Sequence, residues 1–452
     1  MMLNNIRAKL SNKHFLSLAG NGAMAMFSVL TYIILFRVLS PEDMGNWVFF
    51  QFAIIFIETF RTGFLQSALI IFYSGTSQKM ANNVVGSSWY IGIVITGVFI
   101  ALNVVGVLIF GYIGTEDPSV ILLLKWLGVS LLTTLPFNLG SWIQQAKDRF
   151  DHILYIRLIN QGSFILFIII FYVWGNIDLN TIVYSFIASS ALTSILTLIF
   201  GWSSFRNLKD RSKECIQKIF DYGKYSVGTV LSSNLLKTSD SFIIKIMLGP
   251  AALAIFNVSQ RLLDILEVPL RSFVATAMPE LSAAHNQGDK SKVSTIMQKY
   301  AGMLTMLLIP LSIGSLIFAD FIVLIIGGEQ YAGTASANIF RIFMVFGVFF
   351  PIDRFLGITL DMVNQPKLNL IKVIIMLTVN VVGDYIGIVL FDNLYAVAVV
   401  SVFTFLAGVI FGYKALRRYL VFTLRDIITT GFRESVSLVK NLLNKNKLHT
   451  NS

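Results

Sequence analysis

The stretch "LFRVLSPEDMGNW" (Leu35–Trp47) joins one long apolar run to the next, and about two hundred residues later "IIKIMLGPAALAIF" (Ile243–Phe256) repeats its grammar. Aligning Pro41 with Pro250 brings Arg37 near Lys245, Trp47 onto Phe256 and Glu58 onto Glu267. With a one-residue slip, "IETFRTGF" (Ile57–Phe64) matches "LEVPLRSF" (Leu266–Phe273), which sets Arg61 on Arg271. A weaker echo pairs "PFNLGSWIQQAKDR" (Pro136–Arg149) with "PIDRFLGITLDMVNQPK" (Pro351–Lys367). Both joins run in the same order along the chain. That is the signature of a parallel repeat, related by an axis along the membrane normal.

Composition supplies the solvent. Apolar residues make up 55 % of the 452 and charged residues 13 %, with a mean hydropathy of +0.74. Soluble domains carry roughly 25 % charge, so this chain is built for lipid. Its single cysteine, Cys215, rules out a disulfide framework and a cysteine-based metal site. The first apolar run is too long for a cleavable signal and reads as a retained span.

A bilayer core takes about 20 helical residues. Twelve apolar runs of that order are present, at 15–38, 44–73, 82–110, 119–142, 153–174, 181–203, 223–247, 251–280, 296–326, 332–360, 370–391 and 395–416. The expected fold is an all-α polytopic membrane protein with two six-helix lobes in pseudo-two-fold relation. The lobes fall at 1–205 and 223–420, joined by a polar linker at 206–222. Residues 421–452 form a basic tail, which reads either as an interfacial helix, with Phe432, Val436, Val439 and Leu443 on one face, or as a disordered segment.

Loop charge gives orientation. Placing "NNIRAKLSNKHF" inside puts every loop Lys and Arg on one side. The other side holds "SPED", "GTEDPS", "GNIDLN", "GP", "GGEQY" and "FDN", which contain neither. Bias this one-sided predicts both termini in the cytoplasm. The net charge of +11 is thereby a topology signal and an attraction to membrane lipids. Nucleic acid is not among the expected partners.

Ten cations remain at membrane depth: Arg37, Arg61, Lys125, Lys224, Lys237, Lys245, Arg261, Arg271, Arg341 and Arg354. Eight acids share that depth: Glu58, Asp240, Asp264, Glu267, Asp320, Asp353, Asp361 and Asp384. A charge at a helix centre costs roughly 2.5–3.5 kcal/mol even on the mildest scale, so such groups face a bundle interior or water. Two readings stand side by side. In the first they pair internally, Arg61 with Glu58, Lys237 with Asp240, Arg261 with Asp264 and Arg354 with a neighbour. In the second they line a slightly cationic cavity for an anionic headgroup, where Arg offers a planar fork to diphosphate oxygens. The substrate-binding candidates are Arg61, Arg271, Arg341, Lys237, Arg261, Arg354 and Lys125. Arg37, Lys224 and Lys245 lie near span ends and snorkel. Pro269 and Pro351 each free a carbonyl and bend a span next to an Arg. No nucleotide fingerprint, His cluster or exposed acidic pair announces an enzyme.

"SDSFIIKIMLGPAALAIFNVSQRL" resembles the post-linker segment of bacterial polysaccharide biosynthesis export proteins, and "FRVLSPEDMGNWVFFQF" resembles their first turn. With the twelve-span plan, the chain resembles the Wzx-type oligosaccharide flippases of the multidrug/oligosaccharidyl-lipid/polysaccharide exporter superfamily. The resemblance implies a transporter and not an enzyme. It implies movement of a polyprenyl-diphosphate-linked oligosaccharide to the outer leaflet of the bacterial inner membrane, for O-antigen, capsule or exopolysaccharide assembly. A polymerase and a chain-length regulator are the implied partners. No cofactor is implied beyond coupling to a proton or sodium gradient, for which Asp240, Asp264 and Glu58 are the candidates. Three alternatives are weighed against this. Multidrug antiporters of the superfamily usually carry acids in the first span, and "FLSLAGNGAMAMFSVLTYIILF" has none. Lipid II flippases typically add two spans. A polymerase or ligase would show a large basic outside loop.

Overall fold

The computed structural model describes residues 13–73, 76–147, 149–175 and 177–449. The amino-terminal cations Arg7 and Lys9, and the side chains of Val439 and Leu443, lie outside the described residues.

Every apolar run is a helix. In chain order these are α1 (Lys13–Val38), α2 (Pro41–Tyr73), α3 (Gln78–Ile113), α4 (Pro118–Ala146), α5 (Phe150–Val173), α6 (Leu179–Ile199), α7 (Lys213–Leu248), α8 (Pro250–Asn286) and α9 (Lys290–Gly327). Next come α10 (Ser336–Gly347), α11 (Phe350–Met362), α12 (Pro366–Phe391), α13 (Leu394–Leu416) and α14 (Leu424–His449). No strand occurs among the described residues. Among the described residues, eight helices are each long and apolar enough to cross a bilayer, or nine if α10 and α11, bent by 50°, form one span. The protein is an all-helical, multi-pass membrane protein.

Of the paired prolines, only the first pair falls at matching places. Pro41 and Pro250 each open a helix, where a missing N–H costs nothing and the fixed φ is already helical. Pro136 lies inside α4, and Pro351 sits in the first turn after the α10–α11 bend. Pro269, by contrast, lies within a continuous α8.

The chain forms two compact units, one of residues 1–245 and 249–254, the other of 246–248 and 255–452. In the first, α7 lies along α2. Gly63 faces the Val227 backbone so closely that a Cβ would sit 2.8 Å from its Cα. Gly223 admits Phe64 in the same way. Asn234 donates to Thr59 at 2.7 Å. The two twin turns of the sequence also meet here: a Cβ on Gly45 would lie 1.8 Å from the carbonyl oxygen of Pro250. Only glycine permits that approach.

Residues 206–222 comprise most of a 3-10 helix (Phe205–Asp210) and the first turns of α7. They pack on α3. Trp89 donates to Ser203 O at 2.8 Å, and Cys215 and Ile219 join a core with Leu65, Trp89, Leu139 and Trp142. The second unit has its own core from α8, α9, α11 and α13, which also takes in Phe422 and Ile427 of the tail.

Candidate functional site

In the first unit the charges converge on α2. Glu58 and Arg61 face one way because three residues return a side chain to nearly the same helix face. Arg61 is fully buried. Its Nη1 donates to Leu131 O at 2.9 Å and to Thr96 Oγ1 at 3.4 Å. Its Nη2 donates to Thr134 Oγ1 at 2.8 Å and to the Glu58 carboxylate. Glu58 also accepts from Thr134 at 2.6 Å and from Asn138 at 3.2 Å. One guanidinium thus ties α2 to α3 and α4.

Pro136 helps to build this node. It cannot donate within α4, and the helix loosens around it. Ser194 of α6 inserts there, donating to Thr133 O at 2.5 Å and accepting from Phe137 N at 3.2 Å. A side chain in the i to i−4 ladder is one of the recognised causes of a helix bend.

At the loop end of the same unit, Lys245 reaches Asp117 at 2.5 Å, with its ammonium 5.4 Å from the centre of the Phe49 ring. Asp117 caps α4 through Ser119 N at 2.9 Å. Partial burial pushes the Asp117 carboxyl up, but the Lys245 and Ser119 hydrogen bonds outweigh it and hold the group below its ordinary range. Sequence reasoning left Lys245 to snorkel, because its partner is 128 residues away. On α7, Lys237 is exposed and Asp240 is buried. On α4, Lys125 is exposed, 5.3 Å from the centre of the Trp126 ring.

The second unit treats its charges differently. Arg261, Asp264, Glu267 and Arg271 share about a third of the circumference of α8 at 3.6 residues per turn. Arg261 pairs with Asp264 at 2.9 Å and Arg271 with Glu267 at 2.6 Å. Yet 73 % of the Arg271 side chain and 51 % of Asp264 stay exposed. Exposed charges such as Asp264 and Arg271 would be solvated by water and not by lipid. Arg341 is half-buried and joins α10 to α9, donating to Asp320 at 2.5 Å, Asn338 at 2.7 Å and Leu316 O at 3.2 Å. Arg354 is exposed at the start of α11.

Sequence reasoning left Lys372 out of the ten cations at membrane depth. It lies inside α12, 3 % exposed, and donates to Asp353 Oδ1 at 2.7 Å and to Asp353 O at 2.9 Å. Gly357, Gly408 and Gly412 clear the space around this pair, since a Cβ on each would come within 3.3 Å of Lys372 or Asp353. The small residues on α11 and α13 were the available signal. Among the described residues no group of three or more His, Cys, Asp or Glu side chains could hold a metal ion.

These helices define a class of fold. The chain is similar to an inward-facing multidrug resistance MATE family transporter of the MOP superfamily, at 16 % identity and a TM-score of 0.74, over 88 % of this chain and 95 % of that one. It is equally similar to the lipid II flippase MurJ in an inward closed conformation, at 13 % identity and a TM-score of 0.74, covering 94 % of this chain and 92 % of that one. At such identities the likeness concerns the fold.

Residues 34–336 match the family described as "Polysaccharide biosynthesis protein", and the chain belongs to that family. One curated relative is the "Probable low-salt glycan biosynthesis flippase Agl15" of Haloferax volcanii, 24 % identical over 226 residues. That match spans 49 % of this chain and 45 % of the relative, so the chain spans about half the length of the curated relative it matches.

Proposed function

We propose that the protein is a flippase that carries a polyprenyl-diphosphate-linked oligosaccharide from the inner to the outer leaflet by alternating access. The observation that carries this reading is the charged face of α8, where Arg261, Asp264, Glu267 and Arg271 lie on one side and Asp264 and Arg271 are exposed. Such a face suits a hydrated anionic headgroup, whose diphosphate a guanidinium fork can grip at two oxygens. The lipid tail would remain in the bilayer, which spares the protein a large apolar cavity. Family membership and the flippase named among its relatives support the same reading.

Arg271 and Arg261 take the diphosphate. Arg341 and Arg354 are the further cationic candidates of the second unit, and Lys237 and Lys125 those of the first. Arg61 would reach a headgroup only after α2, α3 and α4 repack, so its first role is to hold that bundle together. Asp240, Asp264 and Glu58 are the groups through which a proton or sodium gradient would act. The one-sided loop charge supports cytoplasmic termini, and the family resemblance supports a bacterial inner membrane. The glycan is a surface polysaccharide repeat unit, passed on to a polymerase and a chain-length regulator.

Liposomes holding the protein and a fluorescent polyprenyl-diphosphate oligosaccharide test this. Wild-type protein should move the glycan to the far leaflet, where a membrane-impermeant quencher reaches it. R271A should lose at least tenfold in rate while remaining folded. Undiminished flipping by R271A would remove the headgroup site. Export of a cationic dye with no glycan movement would replace the reading with a multidrug antiporter.

A further inference from the structure

The tail helix α14 divides into three faces. One is packed: Ile427, Thr430 and Gly431 are buried against α9. The backbones come so close that a Cβ on Gly302 would lie 2.1 Å from Ile427 O, and one on Gly431 would lie 2.4 Å from Gly302 Cα. Ser294 donates to Val421 O at 3.0 Å, and Lys299 faces Glu434 at 3.9 Å.

The second face is apolar and uncovered. Leu424, Ile428, Phe432 and Val436 recur every four residues and are 37, 45, 62 and 37 % exposed. The third is basic, with Arg425, Arg433 and Lys440 exposed beside the apolar stripe.

The depth of the contact says what covers the stripe. α9 carries Lys290, Lys292 and Lys299 up to the crossing at Gly302, and no charge from there until Asp320. The crossing therefore sits where α9 passes from water into hydrocarbon. The other end of the tail agrees: α13 stops at Leu416, Arg417 and Arg418 follow, and α14 begins eight residues on from Leu416, at Leu424. That short connection holds the start of α14 near the level at which α13 leaves the bilayer.

We infer that α14 is a membrane-surface anchor, held on α9 by the Gly302–Gly431 contact, which seats Leu424, Ile428, Phe432 and Val436 in the leaflet on the basic side of the protein and sets Arg425, Arg433 and Lys440 among anionic lipid headgroups. A helix with apolar and cationic faces side by side has this preference, and each basic residue near an anionic surface adds to the attraction. The inference is independent of the transported substrate.

Nitroxide labels on single cysteines at positions 428 and 432, and at 429 and 433 beside them, test this in full-length C215S protein. The protein is placed in nanodiscs of phosphatidylcholine with or without phosphatidylglycerol. With phosphatidylglycerol, 428 and 432 should collide several-fold more with oxygen than with an aqueous nickel reagent, and 429 and 433 should do the reverse. Omitting phosphatidylglycerol, or introducing R425Q, R433Q and K440Q together, should shift 428 and 432 toward the aqueous reagent. G302L, which forces α14 off α9, should erase the contrast between the two pairs. Equal accessibility at all four positions, indifference to lipid charge, or shielding of 428 and 432 from both reagents by a protein partner would each overturn the inference. If the serine background fails to fold, hydrogen exchange of residues 424–440 in unaltered protein decides. Slower exchange with phosphatidylglycerol supports the anchor, and an unchanged rate removes it.

Discussion

Glu58 and Arg61 on α2, and Glu267 and Arg271 on α8, occupy matching places in the two halves of the sequence and meet opposite fates. Arg61 is fully buried, its donors shared among Glu58, Thr96, Leu131 and Thr134. Arg271 makes one salt bridge and keeps 73 % of its side chain exposed. The local sequence is nearly the same, so surroundings decide the role. A buried guanidinium surrounded by acceptors holds helices together. An exposed one can exchange its acid partner for a ligand.

That contrast can be broken most forcefully at Arg61. R61A leaves the Glu58 carboxylate buried without its cation, a loss of about 3–5 kcal/mol for a buried pair. Thermal unfolding in detergent should show it, and the double change E58Q/R61M should recover much of it. An unchanged melting temperature would mean that Arg61 is not the fastening of α2 to α4.

Lys372 asks whether burial or the half of the chain sets the cost. K372A strips Asp353 of its partner within the second unit and should destabilise by about 3 kcal/mol. A cost near that of R271A would assign the difference to the halves themselves.

R271A sharpens the other side. An exposed pair of this kind contributes about 0–1 kcal/mol, so unfolding should barely move while glycan translocation falls. A large drop in melting temperature would make Arg271 structural.

The smallest effect belongs to the Lys245–Asp117 link. The folded-state carboxyl lies below its ordinary range, so the link's contribution is complete above the unfolded value, about 3.9. It is lost as pH falls through the lower folded value. Hydrogen-exchange protection near residue 117, corrected for the intrinsic pH dependence of exchange, should therefore be flat across neutral pH and fall only in stronger acid. D117N should show the reduced protection at every pH. A transition near neutrality would assign the contact to another group.

Much of the fold was legible locally. Span positions follow from the length of helix that crosses hydrocarbon, which is a property of each run alone. Pro41 and Pro250 mark helix starts for equally local reasons. The site was less legible, because burial of a charge depends on residues far along the chain. Thr96, Leu131 and Thr134 approach Arg61 from 35 to 73 positions away. Lys372 was misplaced because its position near a polar turn suggested water, whereas its partner Asp353 and three glycines make room for it inside. The ion pairs Arg61–Glu58 and Arg261–Asp264 were readable from i, i+3 spacing alone.

The sequence by itself determined a helical membrane chain and the twin turns at Pro41 and Pro250, because apolar length and proline geometry act over a few residues. Only the tertiary structure decided that those turns touch, through Gly45 against Pro250. It also decided that one of two matching arginines is buried while the other stays exposed. The physical reason is the same in both cases. Close approach and desolvation are settled by neighbours that the chain brings together only when it folds.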